Sequence, residues 1–192
     1  MIPSSLGGQF SFFIGKGLSD AGSGTTSGVM EAVQKCVENN STVVSMSLGG
    51  GAPSDTWDDQ FYGHYKNDDV LIIAAAGNYG NSALSYPASY KSVMSVAAVD
   101  SNENRASFSQ YNDQLEIAGP GVDVTSTVIG DSGSTFDYGT WSGTSMATPH
   151  MAAVAGLLRM FFPDCKVRAL APVSRRLASG RAHRRRSRPP SS

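Results

Sequence analysis

Two short segments carry residue types that could do chemistry on a carbonyl. Residues 143–150 read Gly-Thr-Ser-Met-Ala-Thr-Pro-His and open an apolar run that reaches residue 162. A run greasy on every side predicts a core helix, and Ser145 falls in its first turn. There the hydroxyl would sit near the positive end of the helix dipole, beside backbone N–H groups that have no partner within the helix. Such a mouth can stabilise an oxyanion forming on an attacked carbonyl. A lone serine before a helix is more often a simple N-cap, so the surroundings must decide. The second segment, Ala74-Ala75-Ala76-Gly77-Asn78-Tyr79-Gly80, closes another apolar run. An asparagine at the carboxyl end of a parallel strand stands in the crevice where α/β proteins hold ligands. A turn-forming asparagine before Tyr-Gly would look the same.

Three apolar runs, 43–48, 70–76 and 93–99, have the length and composition of buried parallel strands. Val29, Met30, Val33 and Val37 recur at helical spacing with Cys36 alongside, so a helix ending at Asn39-Asn40 feeds the first strand. Trp57, Phe61 and His64 mark one face of a second helix between the first two strands. Helices alternating with buried strands predict a parallel sheet flanked by helices. Residues 100–140 read as loops and edge strands. The last helix is expected over 146–162, with Pro149 tolerated in its first turn.

The bulk numbers agree. A chain of 192 residues, 40% hydrophobic and 16% charged with 21 glycines, suits one α/β domain with many tight turns and argues against disorder. It contains no 18-residue apolar stretch, and residues 1–8 lack the basic and apolar regions of a signal peptide. Cys36 and Cys165 are expected to be free thiols. The net charge of -1 hides a split. Residues 1–165 hold all 16 acids against 6 bases, whereas 166–192 hold 9 bases and no acid. The domain is therefore placed at 1–165 and a basic, disordered tail at 166–192. A nucleic-acid or acidic-surface role for that tail is the alternative reading.

Gly-Thr-Ser-Met-Ala-Thr-Pro-His resembles the active-site serine motif of the subtilase family, and Ala-Ala-Gly-Asn resembles the segment whose asparagine donates its side-chain amide to the oxyanion. The likeness takes in Tyr86-Pro87-Ala88, Arg105-Ala106-Ser107-Phe108-Ser109 and Ala118-Gly119-Pro120-Gly121-Val122, where Gly119 departs from the usual Ala-Pro-Gly. It runs from about Phe12 to Pro163. It implies a three-layer, parallel-sheet subtilisin-like fold, truncated at its N-terminus, with Ser145 as nucleophile and Asn78 as oxyanion donor. It also implies a cleft in which Ser47, Leu48 and Gly49 pair with one side of an extended peptide and Gly22, Ser23 and Gly24 with the other. Ala75, Ala76 and Gly77 would wall the pocket for the residue before the cut, with Tyr79 at its mouth and Ser85 at its base. Small walls leave a roomy apolar slot.

The family's aspartate and histidine precede the matched region, and no Asp or His lies upstream of Phe12. His150 lies five residues past Ser145, so its side chain points about 140° away along the helix. His64 belongs to the Trp57 and Phe61 face, and His183 lies in the arginine run. Asp131-Ser132-Gly133 mimics the family's aspartate motif but falls where the family has a loop. Serine attack needs a base within hydrogen-bond reach; without one, only about 10³–10⁴ over water remains, a figure taken from subtilisin itself. A chain without the missing strands is expected to expose apolar edges, fold poorly and be inactive by itself. Together with the abrupt change to arginine after Cys165, this points to an incomplete gene model or pseudogene product.

The reading is thus a serine endopeptidase acting through an acyl-enzyme, secreted by family resemblance, monomeric, and acting on extended peptide or protein substrates. Nucleic-acid and membrane partners are not expected. No cofactor is expected, beyond a weak calcium site from the carbonyls of Ala88, Tyr90 and Val93 with Glu116. The alternative is a non-catalytic, peptide-binding pseudoprotease. An α/β-hydrolase nucleophile elbow fits less well, since the second glycine is absent and no acid and histidine follow in order.

Overall fold

The computed structural model describes residues 10–129 and 136–167. Helix α1 (Thr26–Glu38) begins at Thr25, whose side chain accepts the Gly28 N–H, and buries Val29, Met30, Val33 and Cys36. It delivers the chain to strand β1 (Val43–Met46). Helix α2 (Asp55–Lys66) has Asp55 and Asp58 in its first turn and Lys66 in its last, matching the helix dipole. Its buried face is Trp57, Phe61 and His64, as the spacing predicted. Strands β2 (Leu71–Ala75) and β3 (Val93–Val99) are buried almost throughout.

The four-stranded parallel sheet runs β1-β2-β3-β4, with β4 at Leu115–Pro120. Alternation across it builds three layers. Ile72 and Ala74 join Val44 and Met46 under α1 and α2, while Leu71 and Ile73 join Met94, Val96 and Ala98 under helix α3 (Thr144–Phe161). The 100–140 region is more regular than polarity suggested. It supplies β4 and an antiparallel hairpin, β5 (Val124–Ile129) with β6 (Phe136–Trp141). Between β3 and β4 the register shifts at Ser95/Val96, and the Glu116 carboxylate accepts the Ser95 N–H at 2.6 Å. A side chain stands in at the break in the ladder.

Three expectations change. The first strand ends at Met46, two residues early, so Ser47 and Leu48 lie beyond the sheet. Helix α3 starts at Thr144, which moves Pro149 from the first turn to the second. The same helix is not buried all round. Small residues such as Ala147 and Ala155 pack on the sheet, while Val154, Leu158 and Phe161 line an exposed flank. Cys36 and Cys165 are both free. Asp131-Ser132-Gly133 and His183 lie outside the described residues, as does most of the basic tail. The tail's first two residues are described: Val167 is fully buried in the α3-side core, and its N–H donates to Asp69 Oδ1 at 2.9 Å.

Asp69 clamps the end of α3 to the turn before β2. Arg159 Nη2 meets its carboxylate at 2.9 Å, and the Lys166 ammonium lies 3.8 Å away. Burial raises the cost of ionising Asp69, but the Val167 N–H, the Arg159 guanidinium and Lys166 outweigh it and hold the carboxyl below its ordinary range. A depressed carboxyl contributes stability above its unfolded pKa and loses it as pH falls through the folded one. Asp69→Ala should therefore cost about 2–4 kcal/mol at neutral pH, read from the urea midpoint. The gap from wild type should close on acidification below pH ~4. An unchanged midpoint at pH 7 would dismiss the clamp.

Candidate active site

Parallel strands end on one rim, and the chemistry-bearing residues gather just beyond those ends. Met46 pairs with Ala74, so Ser47 follows β1 next to Ala75, the last residue of β2, and Gly77-Asn78 follows in turn. The N-terminus of α3 meets this rim. Thr144, fully buried, is the joint. Its N–H and its hydroxyl both donate to Asn78 Oδ1 at 2.9 Å, and its Oγ1 accepts the Gly77 N–H at 3.2 Å. The Thr144 backbone N–H can only donate, which assigns the Asn78 atom it meets as the oxygen, and Nδ2 then faces the other way.

That nitrogen faces the helix mouth. A Cβ built on Gly143 would lie 3.5 Å from Asn78 Nδ2 and 3.7 Å from the Ser145 backbone nitrogen. The two nitrogens thus border one space, which is open because residue 143 has no side chain. Gly143 has φ 165, extended backbone open to any residue, so the glycine serves room here and not a special dihedral. Gly143 is itself held by its N–H to Gly121 O at 2.8 Å. Two N–H donors, one of them at a helix N-terminus, flanking a small space can hold a negatively charged oxygen.

Ser145 is half-buried at this mouth. Its hydroxyl donates to the Ser47 carbonyl at 3.2 Å, and the Ser47 hydroxyl donates to the Ser145 carbonyl at 2.7 Å. Neither described histidine is its partner. His150 Nδ1 lies 2.8 Å from the Met146 carbonyl, so it carries the proton and donates. His64 is buried on α2, with Nδ1 2.7 Å from Asp68 Oδ2.

The expected pocket residues differ in where they lie. Gly49, Ala75 and Ser85 come together: a Cβ on Gly49 would sit 2.9 Å from Ser85 Oγ and 3.7 Å from the Ala75 carbonyl. Leu48 packs against the α1-side core, and Ala75 and Ala76 are buried. Tyr79 projects into solvent at 84% exposure, which suits a mouth and not a wall. Gly22, Ser23 and Gly24 form an exposed turn before α1, closed by Gly22 N–H to Ser19 O and Ser19 N–H to Ser23 O. Among the groups considered for a cation, the Tyr90 carbonyl accepts the Val93 N–H at 3.1 Å, and Glu116 holds the β3 N–H already described.

Sequence reasoning missed Thr144 and Gly143, although both lie inside the serine motif. A threonine hydroxyl that orients a neighbouring strand's amide leaves no periodic trace. Gly143 reads as a turn residue until the space beside it is seen.

The chain matches the family model described as the subtilase family over residues 8–186. It is 43% identical over 149 residues to a thermostable alkaline protease of Halalkalibacterium halodurans, covering 78% of this chain and 40% of that protein. It is 42% identical over 149 residues to subtilisin Savinase of Lederbergia lenta, covering 78% and 53%. Among solved structures, a cold-adapted subtilisin-like serine proteinase aligns with a TM-score of 0.71 and 36% identity, over 80% of this chain and 55% of that one. A psychrophilic subtilisin-like protease from an Antarctic Pseudoalteromonas aligns with the same TM-score at 26% identity, over 85% and 69%. The chain spans about half, or less, of the length of the curated relatives it matches. With the motif residues assembled at one sheet rim and the match extending across the whole described fold, this chain belongs to the subtilase family.

Proposed function

We propose that this chain is the nucleophile-bearing part of a subtilisin-like serine endopeptidase. Ser145 Oγ attacks the scissile carbonyl, the C–N bond breaks, the amine leaves with a proton, and water then releases the acyl group. The observation that carries this reading is the convergence of Asn78 Nδ2 and the Ser145 N–H on the space beside Gly143. These donors would hold the carbonyl oxygen as it becomes anionic. The substrate would be an extended peptide or protein segment, clamped between residues 47–49 and residues 22–24. A large apolar residue would enter the slot walled by Ala75, Ala76 and Gly77, with Ser85 at its base and Tyr79 at its mouth. Action as a monomer and placement in the secretory pathway or outside the cell follow from the family. No helix among the described residues is long and apolar enough to cross a membrane.

The proton on Ser145 needs a base, and among the described residues the imidazoles of His64 and His150 are engaged elsewhere. The hydroxyl rests instead on the Ser47 carbonyl. That contact favours a second reading, a pseudoprotease that binds peptide without cutting it. A fluorophosphonate, whose fluoride is displaced by an activated serine oxygen, separates the two on protein purified from its source. The protease reading expects stoichiometric labelling that maps to Ser145 and vanishes in Ser145→Ala. A folded protein that binds peptide yet never takes the label would leave only the pseudoprotease.

A further inference from the structure

Pro149 stands in the second turn of α3, four residues after Ser145. In an α-helix the carbonyl of residue i accepts from the N–H of residue i+4, and proline has none. The Ser145 carbonyl therefore has no donor at that position of its own helix. Ser47 Oγ, just past the end of β1, donates to it at 2.7 Å, the shorter of the two bonds linking residues 47 and 145. Consecutive residues of the helix mouth are thus fastened to adjacent strand ends. Thr144 is held at the end of β2 through Gly77 and Asn78, and Ser145 at the end of β1 through Ser47.

We infer that the Ser47 side chain is a positioning residue for the nucleophile, replacing the hydrogen bond that Pro149 removes. This rests on Ser145 being the nucleophile. The hydroxyl is not among the atoms nearest the space beside Gly143. It acts through the carbonyl of residue 145, whose own N–H and Oγ must both keep their places. A misplacement of a fraction of an ångström at such a residue slows reaction without weakening binding.

The test is a cycle of Ser47→Ala, Pro149→Ala and the double variant, with Ser47→Thr as the conservative control, in the full 192-residue chain. Saturation kinetics of fluorophosphonate labelling separate reagent binding from the rate of bond formation. Ser47→Ala should lower the bond-forming rate about tenfold, the weight of one hydrogen bond near 1.4 kcal/mol, with half-saturation unchanged. Ser47→Thr should keep the wild-type rate. In the Pro149→Ala background a helical N–H is restored to the Ser145 carbonyl, and Ser47→Ala should then cost little. Equal rates for wild type and Ser47→Ala, or the same loss in both backgrounds, would overturn the inference. If the 192-residue chain takes no label, as a nucleophile without a base among the described residues would not, the protease reading is left to the labelling of protein purified from its source, and the latch is read from the ¹³C shift of the Ser145 carbonyl. That signal should move upfield in Ser47→Ala and not between Pro149→Ala and the double variant; no movement in Ser47→Ala overturns the latch.

Discussion

Asn78→Ala is expected to slow fluorophosphonate capture of Ser145 by about 10²–10³, the loss known for the corresponding donor of subtilisin itself and carried over here rather than obtained from this geometry. The physical case lies in where the amide points. Thr144 takes the oxygen with two bonds, so the nitrogen is left to the space it shares with the Ser145 N–H. Asn78→Ala also strips the Thr144 N–H and hydroxyl of their acceptor, and Thr144 is fully buried. That loss alone costs stability of about 1–3 kcal/mol. Asn78→Asp separates the two effects. A carboxylate still accepts from Thr144, but it offers no donor and places negative charge where negative charge must develop. At neutral pH this variant should keep most of its stability and label at least as slowly as Asn78→Ala. Wild-type labelling by a folded Asn78→Asp chain would remove Asn78 from the oxyanion site.

Gly77→Ala should be among the most damaging single substitutions in the chain, at about 3–5 kcal/mol from combined backbone strain and overpacking. Gly77 has φ +109, in the region that side chains rarely adopt, and its Cβ would fall 1.7 Å from Gln110 Oε1. Gln110 has little freedom to yield. It is 1% exposed, and its amide nitrogen donates to the Ala83 carbonyl at 2.6 Å. Adding Gln110→Ala should relieve the overlap and return part of the lost stability, leaving the φ penalty. Urea midpoints of the single and double variants give both parts. The consequence reaches the chemistry too, because the Gly77 N–H is bonded to Thr144, which aims Asn78. A wild-type midpoint for Gly77→Ala would mean that this turn is not held as described.

Much of the fold was legible because its signals are local. Short apolar runs at 70–76 and 93–99, rich in Val, Ile, Ala and Met and closed by Gly or Asp, read as strands covered on both faces, and Trp57, Phe61 and His64 repeat at the period of a helix. The 100–140 region was less legible. β4 lies at a sheet edge, where Ile117 and Ala118 remain exposed, and the aromatic residues of the hairpin face solvent, so neither shows the pattern of a buried strand. The end of α3 in the chain was read well, yet its start was not. A helix whose first residues are threonine and serine hides its beginning, because those side chains compete for backbone groups.

For the site, the motif around Ser145 and the segment ending in Asn78 were readable as residue types in a spacing that implies a shared task. The sequence by itself determined the parallel sheet and singled out Ser145 and Asn78 as the proposed nucleophile and its amide partner. Only the tertiary structure decided which atom of Asn78 faces the helix mouth and that Gly143 leaves the space beside it open. It alone brought the Ser47 hydroxyl to the Ser145 carbonyl, which Pro149 leaves without its helical donor. Those facts depend on contacts between residues 66 to 98 positions apart. No periodicity records such contacts, since they exist only once parallel strands bring distant chain segments to one rim.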